Sequence, residues 1–178
     1  MQDSVVPAFR LFLLRHARSG WALPGQRDFD RTLDGIGYVE AELTAQTIAD
    51  HGLRPDLILC STATRCRQTA EPLYRTLGED IDIRYLDPLY TGPTSVYTEL
   101  VEAYADRSSL MIVGHNPMIE ELFWQILDGT TATTAFGDGY PPAGLAIINF
   151  SARPTAGSVW SAALAQLLVP TLEDAEGQ

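Results

Sequence analysis

A short apolar run, Leu11 to Leu14, stops abruptly at Arg15-His16, and the same pattern recurs further down the chain. Asp56-Leu57-Ile58-Leu59-Cys60 gives way to Ser61-Thr62, and Ser109-Leu110-Met111-Ile112-Val113 gives way to Gly114-His115-Asn116. Runs this short, apolar on successive rather than alternate residues, read as strands covered on both faces. Segments of helical period lie between them. Tyr38 to His51 carries Val39, Leu43 and Thr47 on one face, and Gly52 and Pro55 mark its end. Ala63 to Leu77 reads as a second helix and Thr94 to Asp106 as a third, with Val96, Leu100, Val101 and Tyr104 inward. Pro117 to Leu127 is a fourth, with proline near its first position, where it is best tolerated.

Strands alternating with helices build βαβ units, with right-handed crossovers and helices on both sheet faces. Ile81 to Tyr85 alternates as a further strand, and Leu86 to Gly92-Pro93 leads into a turn. Leu145 to Phe150 and Val159 to Leu167 have no helix between them, which predicts an antiparallel hairpin at one edge. The expected fold is α/β: a three-layer α/β/α sandwich with a mostly parallel, mixed sheet. Leu13, Leu14, Leu57, Ile58, Leu59, Met111, Ile112, Val113, Ile147 and Ile148 are its expected interior. The 178 residues suit one catalytic domain over 1–170, followed by an acidic tail, 171–178, expected to fray. Thr130 to Gly139 reads as a loop, and no internal repeat is found.

The formal net charge of −11 argues against nucleic-acid or anionic-membrane partners, which need a basic surface. An anionic substrate would have to be held by a local cluster of arginine, which greatly outnumbers lysine here. Cys60 and Cys66 are too few for a disulfide framework and cannot close a zinc site without histidine. Met1 to Ala8 lacks the basic and apolar regions of a signal peptide, and no apolar run reaches membrane-spanning length, so a cytoplasmic location is expected.

In open α/β sheets, ligands bind beyond the carboxyl ends of the strands. Of three histidines, His16 and His115 occupy such exits, while His51 lies in a polar helix end and reads as solvated or capping. Ser61 and Arg65 follow the second strand, with Arg65 in the first turn of a helix, where backbone N–H groups also favour an anion. Two arginines and two histidines converging on one crevice make a cationic pocket for a tetrahedral dianion. A neutral imidazole there is able to attack phosphorus and form a covalent intermediate. Arginine forks then supply the electrostatic stabilisation without a metal.

Four ordered blocks carry a family resemblance: Leu14-Arg15-His16-Ala17-Arg18-Ser19, Asp30-Arg31-Thr32-Leu33-Asp34-Gly35-Ile36-Gly37, Ser61 to Glu71 around Arg65, and Val113-Gly114-His115-Asn116-Pro117. Over roughly residues 10–150 the chain resembles the histidine phosphatase superfamily, whose fold is shared with cofactor-dependent phosphoglycerate mutases. It is most similar to the small bacterial phosphohistidine phosphatases, by its Arg-His-Ala, Gly-His-Asn-Pro and Pro-Ala-Gly-Leu-Ala runs and by its short length. The resemblance implies that His16 is the phosphorylated nucleophile, with Arg15, Arg65 and His115 binding the phosphoryl group. It implies no cofactor and no metal. Ser19 and Asn116 are further candidates for phosphate or orientation hydrogen bonds. The family's acid is usually a carboxylate after the third strand, where Asp87 lies, ahead of Pro88. Relatives commonly have Glu there, and Asp87 reads equally well as a loop cap. Mutases carry a polar side chain where this chain has Ala22.

The expected activity is therefore a metal-independent phosphatase working through phosphohistidine, with a phosphohistidine protein as substrate and partner. One alternative is a phosphatase of small phosphate esters, such as sugar phosphates, on the same pocket. Another is a noncatalytic phosphate-binding module, which the presence of His16 disfavours. A His/Asp metal hydrolase is a further rival, disfavoured by Arg15 beside the histidines.

Overall fold

Six strands form a single sheet in the order β3-β2-β4-β1-β5-β6 in the computed structural model of the chain, which describes residues 6–127 and 135–171. The strands are β1 (Phe9–Arg15), β2 (Ile58–Ser61), β3 (Ile83–Leu86), β4 (Ser109–Gly114), β5 (Leu145–Phe150) and β6 (Ala162–Leu168). β1, β2, β3 and β4 run parallel, β5 is antiparallel to β1, and β6 is antiparallel to β5. The expected mixed sheet with an edge hairpin is present. Of the loop read at 130–139, residues 130–134 lie outside the described residues. So do residues 172–178, which make up most of the expected tail, and 1–5.

Side chains alternate across a strand, and here the alternation sorts the core into two layers. Leu11, Leu13, Leu59 and Ile112 face one side, with Tyr97 and Val101 of α4 (Thr94–Ala103) and Ile119, Leu122 and Phe123 of α5 (Met118–Ile126). Phe12, Leu14, Ile58, Met111 and Val113 face the other, against Ala45 and Ile48 of α1 (Gly35–Asp50) and Ala70 and Leu73 of α2 (Thr64–Leu77). All ten residues expected inside are buried.

Boundaries differ where local hydrogen bonds overrule apolar periodicity. Helix α1 begins at Gly35 rather than Tyr38, because Asp34 caps it by accepting from the Gly37 N–H at 2.8 Å. Gly37 is required by close approach, since a Cβ there would lie 1.9 Å from the Arg18 carbonyl oxygen. Asp56 does not join β2; its carboxylate accepts from the Ser108 and Ser109 N–H groups instead. The expected turn after β3 contains a single helical turn, α3 (Pro88–Thr91). Helix α4 ends at Ala103, three residues short of the expected Asp106. Among the described residues, no helix is long and apolar enough to cross a membrane.

Candidate active site

The carboxyl ends of β1, β2 and β4 lie side by side, with β4 in the middle. They bring His16, Ser61 and His115 together, and Arg65 from the first turn of α2 reaches between them. The His16 and His115 rings sit 5.3 Å apart, edge to face. His16 is fixed through its backbone, donating to the Gly114 carbonyl at 3.0 Å and accepting from the Ala143 N–H at 3.3 Å. Ala143 stands at φ 55, the left-handed region that a side chain rarely adopts, so the loop holding His16 is strained.

Hydrogen bonds settle the form of each ring. His16 Nδ1 lies 2.7 Å from the Ala17 carbonyl oxygen. A carbonyl only accepts, so Nδ1 carries the proton and Nε2 keeps its lone pair. Arg65 Nε donates to that Nε2 at 3.3 Å. His115 is protonated the other way round. Its Nδ1 accepts from Arg65 Nη2 at 3.2 Å, and its Nε2 donates to Ser61 Oγ at 2.7 Å. Burial, with the neighbouring His115, Arg65 and Arg15 charges, pushes His16 down to about 3. Burial and the Arg65 charge bring His115 down to about 4. Both imidazoles are therefore neutral at ordinary pH.

Arg65 is buried and heavily committed. Besides both histidines it donates to the Asp28 carbonyl oxygen at 2.8 Å and to Asp28 Oδ2 at 3.0 Å. Tyr90 Oη donates to the same carboxylate oxygen at 3.2 Å, and Arg31 Nε donates to Oδ1 at 2.8 Å. Partial burial pushes the Asp28 carboxyl up, but the Arg31 hydrogen bond and the Arg65 and Arg31 charges outweigh it and hold it below the usual range. A tethered carboxylate thus occupies the donors that a phosphoryl group would use. No local pattern in the sequence marks Asp28, because its contact with Arg65 spans 37 residues.

The other candidates are placed as follows. Arg15 Nη1 donates to the Tyr140 carbonyl oxygen at 2.6 Å, and its Nε is buried without a hydrogen-bond partner among the described residues. Asn116 Nδ2 is turned toward Glu120 Oε2, at 3.1 Å, and the Tyr140 carbonyl oxygen. Ser19 Oγ accepts from Arg31 Nη1 at 2.8 Å, one residue removed from Asp28. Asp87 is exposed and accepts from Thr62 Oγ1 at 2.7 Å, a loop-pinning contact at the rim. His51 caps the end of α1, its Nδ1 2.8 Å from the Thr47 carbonyl oxygen. Cys60 and Cys66 are free and buried, and burial pushes the Cys66 thiol up to about 12.

Sequence reasoning missed Tyr97. Its stripe on α4 was read through Val96, yet Tyr97 is the fully buried residue. Its hydroxyl donates to the Leu89 carbonyl oxygen at 2.6 Å and accepts from the His115 N–H at 3.4 Å. Gly114 is needed because a Cβ would come within 2.7 Å of the Tyr97 ring. Among the described residues, no group of three or more His, Cys, Asp or Glu side chains is placed to hold a metal ion.

The histidine phosphatase superfamily (branch 1) pattern matches residues 11–89. A solved SixA protein from Agrobacterium tumefaciens, provisionally assigned as a phosphohistidine phosphatase, is 40% identical with a TM-score of 0.81, covering 92% of this chain and 99% of its own. An uncharacterized protein of Mycobacterium tuberculosis (strain CDC 1551 / Oshkosh) is 34% identical over 76% of this chain and 85% of its own length. An uncharacterized chloroplastic protein of Arabidopsis thaliana is also 34% identical, over 63% of this chain, which spans just 56% of that relative. A mycobacterial glucosyl-3-phosphoglycerate phosphatase shares the fold at 17% identity, with a TM-score of 0.62 over 88% of this chain and 97% of its own. With likeness of this extent joined to a paired-histidine, buried-arginine crevice, the chain belongs to the histidine phosphatase superfamily and is a phosphatase.

Proposed function

We propose that this phosphatase works through a phosphohistidine intermediate on His16, needs no metal, and acts on protein phosphohistidine. One observation carries the reading: the His16 Nδ1 proton is held by the Ala17 carbonyl, which leaves an unprotonated Nε2 beside Arg65 in a buried crevice. Released from Arg65 Nε as the guanidinium turns to the phosphoryl oxygens, that lone pair attacks phosphorus, and the bond from phosphorus to the substrate's imidazole nitrogen breaks. Its electron pair leaves on that nitrogen, and the departing ring is neutral if it was protonated beforehand. Water then attacks the phosphoryl group on His16, releasing phosphate and restoring the lone pair. Arg15 and Arg65 stabilise the equatorial oxygens in both steps. His115 holds Arg65 through Nδ1 and meets the phosphoryl group after giving up its hydrogen bond to Ser61.

The leaving group favours phosphohistidine. An ester needs a proton delivered to its oxygen, for which a placed acid contributes about 10²–10⁴-fold. Asp28 is kept ionised by two arginines, and Asp87 is occupied with Thr62 at the exposed rim. The 40%-identical SixA protein points the same way. The reading includes a single catalytic unit through residue 170. It also includes a cytoplasmic setting without nucleic-acid or membrane partners, in keeping with the charge of −11. The second reading, small phosphate esters, is favoured by Asp28 itself: once a dianion displaces it from Arg65, its carboxyl gains affinity for a proton. The test is kcat/KM for a phosphohistidine peptide against a panel of esters, in the wild type, Asp87→Asn and Asp28→Asn. Preference for the peptide, with small changes in both variants, is expected. Esters turned over faster, with a hundredfold loss in either variant, would overturn the assignment and name the acid.

A further inference from the structure

We propose that Glu120 and Tyr140 are positioning residues for Arg15, forming a frame that holds Nη1 and aims the rest of the guanidinium at the phosphoryl group. Arg15 has no ion-pair partner among the described residues, although Glu120 and Glu40 are close enough to stabilise its charge. Each oxygen of the Glu120 carboxylate already has a donor. Its Oε2 accepts from Asn116 Nδ2 at 3.1 Å and its Oε1 from the Tyr140 N–H at 3.2 Å. It therefore supports the guanidinium across a short distance without capping it.

The point of attachment is the Tyr140 carbonyl oxygen, which takes Arg15 Nη1 at 2.6 Å and Asn116 Nδ2 at 3.4 Å. A carbonyl is useful only if it cannot move, and Tyr140 is fixed at every polar atom. Its N–H is on Glu120. Its hydroxyl donates to the Leu13 carbonyl oxygen at 2.6 Å and accepts from the Ala146 N–H at 3.0 Å, bridging β1 and β5. Its ring is buried against Phe123 and Phe136. Leu13 lies two residues before Arg15, so the same side chain grips the strand and the guanidinium that the strand delivers. Two buried side-chain atoms stay unpaired among the described residues, Arg15 Nε and Asn116 Oδ1, and only the first is a donor. A buried cationic donor with no protein acceptor is the expected state of a group reserved for an anion.

This rests on Arg15 being a phosphoryl ligand, and the experiment separates the two claims. Binding of inorganic phosphate by calorimetry and kcat/KM on a small phosphoramidate are measured for the wild type, Glu120→Gln, Arg15→Ala and the double variant. Glutamine keeps the volume of Glu120 but turns an amide N–H toward one of its two donors. The expected result is a roughly tenfold to hundredfold loss from Glu120→Gln when Arg15 is present. When Arg15 is alanine, the same change should alter both readouts less than twofold. Equal losses in both backgrounds would show a general structural role and overturn the proposal, as would no loss in either. Tyr140→Phe, which removes only the hydroxyl, runs the same cycle if Glu120→Gln fails to fold, and Glu120→Asp should recover part of the loss. An Arg15→Ala protein that binds phosphate as the wild type does would remove Arg15 from the pocket and the basis of the proposal with it.

Discussion

The exits of β1 and β4 look alike in sequence, each an apolar strand ending in a small or basic residue and then histidine. Their two rings are nonetheless protonated on opposite nitrogens. At β1 the proton is drawn to a backbone carbonyl behind the ring, and the lone pair faces Arg65. At β4 the lone pair, on Nδ1, likewise accepts from Arg65, and the proton on Nε2 goes to the Ser61 hydroxyl. Residue type, burial and the Arg65 contact are shared; the acceptor of the ring proton sets which nitrogen keeps the lone pair, and on the proposed mechanism that separates the nucleophile from its support. The partner in turn depends on whether the chain after the histidine turns its carbonyl inward, as Ala17 does, or continues into a helix, as after Asn116.

The sharpest break of this pairing is His16→Ala, expected to lower kcat by on the order of 10⁴-fold or more and to abolish a trapped, acid-labile and base-stable phosphoryl adduct. Turnover within tenfold of wild type would take the nucleophile away from β1. His115→Gln should lower kcat by about 10²–10³-fold, the scale of one lost transition-state contact, while the adduct still forms on His16. Exchange of these two phenotypes would mean that the roles are reversed.

Acid should weaken both sites together. The unfolded chain protonates histidine near 6.5, whereas the folded rings stay neutral down to about 3 and about 4. Between these limits the unfolded state binds more protons, so stability present above pH 6.5 is lost as pH falls. At pH 5 the loss is about 2 kcal/mol per histidine. Urea titrations at pH 7 and pH 5 should show it, with a smaller difference in His16→Asn; equal stability at both pH values would mean that a charged ring is tolerated in the crevice.

Smallest is the effect of Asp28→Asn. Its side chain is about half exposed, and such pairs are worth at most ~1 kcal/mol, so phosphate should bind up to about fivefold more tightly. Weaker phosphate binding would show that Asp28 aids the pocket rather than competing for it.

Much of this frame was legible in the chain. Strand exits are visible as abrupt ends of apolar runs, which placed Arg15, His16 and His115, and Arg65 followed from a helix starting just after such an exit. Asp28, Tyr97 and Tyr140 were not legible as site residues. Tyr97 sits within a helix whose apolar stripe reads equally well one residue earlier, at Val96. Tyr140 meets Leu13 across 127 residues and Arg15 across 125, and its loop gives no period. Asn116 is a candidate for phosphate or orientation hydrogen bonds, and which way its amide turns, toward Glu120 one helical turn on, is set by a contact the motif does not show. Local pattern reports which face an element buries. It does not report what distant backbone arrives there.

β1 is paired along its length with β4 on one side and β5 on the other, and the Tyr140 hydroxyl adds a cross-strand tie at Leu13. Amides in such a strand are expected to exchange only when the sheet opens, whereas residues 20–31 lie outside every strand and are expected to open at a lower cost. On the proposed mechanism His16 sits just past the strand held on both sides and Asp28 sits outside the sheet, so an anion displacing Asp28 from Arg65 would leave the frame behind His16 in place.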